Sequence, residues 1–316
     1  IGVTAATKTA DAALSLFDAT GTLLTTVDDP EEGVRDPELS TFLPADGDYF
    51  VLVNWNGDAA PFALATSVQE PAPLTLGDTV SEPAGEQPNW RFDGRAGDVV
   101  TFVLTAQEPD GDALLTLFDS ELVALSVSDN FDGLNPRLSA ILPETGSYVL
   151  RVGWNGAPDA YTLNTSAGAP VTLTYGQTVA VGSADPPVWR FEGRAGDLIR
   201  AEIAAQGETD GVRLRLLDSA YQEVAAVWSS GVAPPRLEAL LAADGAYFLE
   251  ALWPTLPGAY ALSLAAAADL PSIAAGESRE APPEQRFWSL AGTAGDFVAI
   301  DVTAPDGGDP FLRLYD

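Results

Sequence analysis

Oxygen ligands come first, because they are the only chemistry-bearing side chains this sequence holds in number. Asp28, Asp29, Glu31, Glu32 and Asp36 crowd one short stretch, and Asp129, Asn130, Asp132 and Asn135 crowd another. Carboxylates and amide carbonyls so close together suit a hard cation such as Ca²⁺, which takes roughly six to eight oxygens. Asp28, Asp29, Asp36, Asp129 and Asp132 are therefore the candidate metal ligands, and calcium is the one cofactor the composition admits. A third stretch, Ser229–Ala233 (SSGVA), has no acid at all, so a site required in every copy is not expected. The competing reading makes the same acids solvated turn residues. Asp110 and Asp112, echoed by Asp306 and Asp309, form a second and weaker cluster.

Other reactive groups are scarce. The chain has no Cys, His or Met, which removes tetrahedral zinc sites and every triad built on imidazole or thiolate. Lys8 is the single lysine and lies in a polar loop, a poor setting for activating a serine. Among 46 acidic residues, carboxylate pairs arise by chance, and none recurs in an apolar strand where burial would raise a pKa. No catalytic residue is assigned, and the chain is expected not to be an enzyme. The net charge of −31 repels nucleic acid and anionic lipid. No apolar run approaches the ~18 residues of a membrane span. The opening IGVTAATKTA lacks the basic and then apolar regions of a secretory signal, so a leader is expected to have been removed or to lie upstream.

The elements that carry these residues are set by an internal repeat. WRFDGRAGD at Trp90–Asp98 returns as WRFEGRAGD at Trp189–Asp197 and as WSLAGTAGD at Trp288–Asp296, in steps of 99 residues. LPADGDYFVLVNW at Leu43–Trp55 returns at Leu142–Trp154 and Leu241–Trp253 with the same step. AALSLFD (Ala12–Asp18) matches ALLTLFD (Ala113–Asp119), and the last residues, FLRLYD, match it again. The divisions are a partial unit at 1–70, complete units at 71–169 and 170–268, and a second partial unit at 269–316.

Within a unit, apolar residues alternate at period two over short runs bounded by Gly and Pro, which is the pattern of strands. Tyr148, Leu150, Val152 and Trp154 share one face, with Arg151 opposite. Strands are expected near 73–80, 88–94, 98–106, 113–119, 121–128, 136–142, 146–154 and 159–166, with helix content near zero. The fold class is all-β: a tandem array of ~99-residue antiparallel β-sandwich modules of jelly-roll type.

The motif order W-x-F…AGD, D-x-x-L-x-L-[FY]-D, L-P-x-[DT]-G-x-Y and G-x-[YF]-x-L resembles the bacterial pre-peptidase C-terminal (PPC-like) domain, module by module along the whole chain. The resemblance implies a jelly-roll-like sandwich on secreted or surface proteins, often trailing a peptidase and sometimes binding polymers or calcium. No peptidase portion occurs in these residues.

Six of the seven tryptophans occupy two recurring positions. Trp90, Trp189 and Trp288 alternate with core-type residues, so burial is expected over a sugar-stacking platform. Trp55, Trp154 and Trp253, at strand ends, are candidates for module junctions. Asn164-Thr165-Ser166 fits a glycosylation sequon, a short match common by chance. The leading expectation is a non-enzymatic structural array, a segment of an extracellular filament, stalk or surface fibre, whose partners are copies of itself or neighbouring modules. The alternative is a polysaccharide- or matrix-polymer-binding tail of a secreted peptidase or other hydrolase. Both place the chain outside the cell or on its surface. The partial end units admit complementation between molecules, but Ile1–Asp18 and Ile300–Asp316 duplicate each other. A stretch of a longer uniform array, several times heavier than this chain, is therefore the expectation.

Overall fold

The computed structural model describes residues 1–6, 10–28, 36–85, 89–182, 187–205, 210–229, 235–267, 270–282, 286–304, 312 and 314. Every named element is a strand. The first unit holds β1 (Gly2–Ala5), β2 (Ala12–Phe17), β3 (Leu23–Val27), β4 (Phe50–Trp55) and β5 (Phe62–Ala65). The second holds β6 (Ala72–Pro73), β7 (Thr79–Glu82), β8 (Asn89–Gly94), β9 (Val99–Ala106), β10 (Ala113–Phe118), β11 (Ala124–Ser128), β12 (Arg137–Ile141), β13 (Gly146–Trp154) and β14 (Tyr161–Gly168). The third repeats it strand for strand with β15 (Val171–Thr172), β16 (Gln177–Val181), β17 (Val188–Gly193), β18 (Leu198–Ala205), β19 (Arg213–Leu217), β20 (Glu223–Trp228), β21 (Arg236–Leu240), β22 (Gly245–Leu252) and β23 (Tyr260–Ala267).

Each complete unit is a two-sheet sandwich. In the second unit one sheet runs β11-β10-β13-β8-β6 and the other β12-β9-β14-β7; in the third they run β20-β19-β22-β17-β15 and β21-β18-β23-β16. From β7 to β14 the chain changes sheet at every step except the β10–β11 hairpin, which is the interleaving of a jelly roll. Alternation decides which residues fill the space between sheets. Trp90, Phe92, Phe102, Leu115, Leu117, Tyr148, Leu150 and Leu163 are buried in one core, and their equivalents Trp189, Phe191, Leu216, Tyr247, Leu249 and Leu262 in the next.

The structure differs from the sequence expectation at the head of each unit. The run expected as one strand over 73–80 is two pieces. A turn at Thr75–Asp78, with Gly77 at φ +101°, sends the chain from one sheet to the other. The first piece, β6, then pairs parallel with β8, as β15 does with β17, so the sandwich is antiparallel except at this short edge.

The first unit is visibly thinner. Its sheets are β3-β2-β4 and β1-β5, and among the described residues no strand lies in the lane that β8 fills beside β13. As a result Tyr49, Val51, Val53 and Trp55 on β4 are only half-buried, where Tyr148, Leu150 and Val152 are fully so.

Candidate functional site

The acidic stretches resolve into turn chemistry. Asp28 accepts from the Asn56 amide at 3.0 Å through both carboxylate oxygens, and Asp36 caps the Ala5 N–H at 2.8 Å. Asp129 accepts from the Asn130 N–H at 2.9 Å and shares the Asn155 amide, at 3.4 Å, with Asp112. Asp132 and Asn135 exchange backbone hydrogen bonds, while the Asn135 side chain accepts from the Ala106 N–H at 2.8 Å. Asp29, Glu31 and Glu32 lie outside the described residues. The recurring arrangement is an Asp–Asn pair at neighbouring strand ends, Asp28 with Asn56 in the first unit and Asp129 with Asn155 in the second, where Asp112 shares the amide; Asp11, at the position of Asp112, takes the Asn56 N–H on its backbone carbonyl at 2.8 Å. In the third unit Gly211, Trp228 and Pro254 stand at the positions of Asp112, Asp129 and Asn155, and the neighbouring Ser229 hydroxyl accepts the Val212 N–H at 2.9 Å. Among the described residues no three carboxylates converge as a metal-holding group.

Trp90 and Trp189 belong to the cores, while Trp288 is half-buried and joins no core cluster among the described residues. Trp90 donates its indole N–H to the Tyr161 hydroxyl at 3.0 Å, and burial pushes that phenol up to about 12. Trp55, Trp154 and Trp253 each lie on the core side against Phe62, Tyr161 and Tyr260, with ring centroids 5.8, 6.2 and 5.0 Å apart. They do not form the junction cluster, although Trp253 lines a hollow beside it with Phe131 and Arg137 of the preceding unit.

The junction is built from residues of the other parity. Val99 and Ile141, outer residues at the ends of β9 and β12, pack with Val188, Leu217 and Phe248 of the third unit into one buried cluster, flanked by Tyr221 and Ala246. The equivalents one unit earlier meet as well: the Phe42 ring stands edge-on to Phe118 at 5.2 Å. Two local devices aim these side chains. Phe17, Phe118 and Leu217 follow the inward-facing Leu16, Leu117 and Leu216 and so point outward by alternation, and opposite each of them the partner strand β3, β11 or β20 carries one extra residue in a bulge. Next, the carboxylate of Asp18, Asp119 or Asp218 closes a tight turn by accepting two backbone N–H groups. That turn holds Gly21, Leu122 and Tyr221 at positive φ. Tyr221 in this conformation packs its ring against Phe248 at a 40° tilt, centroids 5.1 Å apart, and its hydroxyl comes so close to Gly97 that a Cβ there would lie at 2.9 Å. Burial pushes the Tyr221 phenol up. A backbone bond from the Leu256 N–H to the Phe131 carbonyl ties the two units again.

Behind the junction, Glu250 is 0% exposed and ion-paired to Arg215. Burial pushes its carboxyl up, against the pull of that guanidinium. Sequence reasoning missed this whole surface. The available signal was an apolar residue at the outward parity beside core residues: Phe50 after Tyr49, Val149 after Tyr148 and Phe248 after Tyr247.

No family model and no curated protein matches the sequence. Among solved structures, a structure of the M60 catalytic domain with the CBM51-1 and CBM51-2 domains of Clostridium perfringens ZmpB aligns over 71% of this chain at 7% identity. The TM-score is 0.20 and the alignment spans 41% of that chain, a likeness too slight to carry an argument about fold or function.

Proposed function

We propose that this chain is a non-enzymatic structural repeat protein whose PPC-like units stack into an extended rod for an extracellular filament, stalk or surface fibre. The observation that carries this reading is the repeated junction. Phe42–Phe118, half-buried, and the buried Val99, Ile141, Leu217, Phe248 cluster join successive units through apolar contacts at equivalent positions. Units meant to act singly need no such contact, and a heterologous contact that recurs without closing builds an open array. The acidic surface keeps such an array soluble and repels anionic surfaces. Calcium, in this reading, would sit at the acidic strand ends of the first and second units.

Small-angle scattering tests it. The chain should scatter as a stiff rod, and Phe248→Asp should make it flexible between the second and third units. A profile of freely jointed beads, unchanged by that substitution, would overturn the stiff-array reading. Immunogold labelling of the native cells should decorate extracellular fibres, and labelling confined to the cell interior would overturn the location.

One observation favours the alternative, a polymer-binding tail. Trp228 is 63% exposed, with the Arg213 guanidinium 5.2 Å from its ring, an aromatic face open to a sugar. Affinity electrophoresis in polysaccharide gels, with Trp228→Ala as the control, separates the two readings.

A further inference from the structure

Asparagine followed by glycine carries covalent chemistry of its own. The pair occurs at Asn56-Gly57 and again, one repeat later, at Asn155-Gly156, while the third unit has Pro254-Thr255 in that place. The glycine backbone nitrogen, once deprotonated, attacks the asparagine Cγ. The C–N bond of the side-chain amide breaks, ammonia leaves, and a five-membered succinimide remains. Water then opens the ring at either carbonyl, giving aspartate or its backbone-shifted isomer isoaspartate, so one water is consumed for each ammonia released. Asparagine is among the thermolabile residues for this reason, and glycine puts no side chain in the way of ring closure.

The two sites are equal in sequence and unequal in the fold. Both lie exposed just past a strand end, after Trp55 on β4 and Trp154 on β13. Gly57 stands at φ +137° and Gly156 at φ +134°, and among the described residues nothing accepts either glycine N–H. The nucleophile is therefore unengaged at both. The amide it attacks is held differently. Asn56 donates to Asp28 through both carboxylate oxygens at 3.0 Å, a well-formed grip. Asn155 reaches Asp112 and Asp129 only at 3.4 Å each, near the limit of a hydrogen bond. Before Cγ can turn onto the glycine nitrogen the amide must release its partners, and Asn155 has less to release.

We propose that Asn155 is a self-modification site, converting through the succinimide ahead of Asn56, and that its product undoes the clamp it replaces. The clamp ties three strand ends together. Asp112 precedes β10, Asp129 follows β11 and Asn155 follows β13, and the Asn155 backbone N–H also donates to the Asp112 carbonyl at 2.8 Å. After conversion a third carboxylate faces Asp112 and Asp129 with no amide donor left, and like charges that close repel. The isoaspartate form also adds a methylene to the main chain at the strand end. The second unit is thereby loosened, while the third, with Pro254-Thr255, is untouched.

Incubating the whole chain in warm, mildly alkaline buffer tests this, followed by peptide mapping with mass spectrometry and an ammonia assay. Asn155 should convert severalfold faster than Asn56, and both should outrun Asn89, Asn130 and Asn164, which precede larger residues. In denaturant the two Asn-Gly sites should react at one rate. Asp28→Ala, which frees the Asn56 amide, should bring Asn56 up to the rate of Asn155, with Asn155 itself and the circular dichroism unchanged. Calorimetry of Asn155→Asp should show the second unit melting below the parent, by a margin that shrinks with added NaCl, while the third keeps its transition. Equal rates at the two sites in the folded chain, an Asn56 rate indifferent to Asp28→Ala, or an Asn155→Asp variant that melts like the parent would each overturn the proposal.

Discussion

Tyr161 concentrates two of the forces that hold a unit together. Its ring fills the second core and its hydroxyl accepts the buried Trp90 indole N–H. Tyr161→Phe keeps the ring and strands that donor, so it should cost about 1–3 kcal/mol, measured by chemical denaturation. The same substitution should change the alkaline limb of stability. The folded unit holds this phenolic proton more tightly than the unfolded chain, whose tyrosines titrate near 10.0. The contribution is complete below pH 10 and is lost as pH rises through about 12. A variant with the same slope of stability against pH in that window as the parent would show the phenol is not responsible. Phe102→Ala tests plain packing. The side chain is fully buried against Phe92 at 5.3 Å, and its loss should cost about 3–5 kcal/mol.

At the scale of elements, the strand ends at Phe118 and Leu217 and the Asp-closed turns that follow them set how units meet. The prediction concerns coupling. Ile141→Ser removes an apolar contact at the junction but lies at a strand end outside the second core cluster. Calorimetry should therefore show the joint melting of the second and third units split into two transitions, with the third unit losing more. Gly97→Ala should act on the same surface, because φ is +84° there and the new methyl would press on the Tyr221 hydroxyl. Its effect should vanish in a Tyr221→Ala background apart from the backbone strain. Unchanged coupling in both variants would move the junction elsewhere.

For the whole molecule the deciding quantity is charge. A net of −31 makes the folded array repel itself, so its melting temperature should rise with NaCl as screening grows. Calcium is separable from screening by the repeat itself. The third unit has Gly211, Trp228 and Pro254 where the second has Asp112, Asp129 and Asn155, so its melting should respond alike to CaCl₂ and NaCl at matched ionic strength. A further rise with CaCl₂ confined to the second unit, and erased by Asp129→Asn, would establish a specific ion at the Asp112, Asp129, Asn155 trio. Equal responses in every unit would leave screening alone.

The sequence by itself determined the repeat, the strand class and which residues fill each core, because these depend on local periodicity. Tyr148, Leu150 and Val152 are buried for the reason their alternation announced. Turn glycines such as Gly77 and Gly97 were legible as turns on the same ground. What the tertiary structure alone decided is everything that needs two sheets or two units at once. The parallel pairing of β6 with β8, the use of Asp129 to hold Asn155, and the junction at Phe248 in place of the tryptophans all join residues distant in sequence.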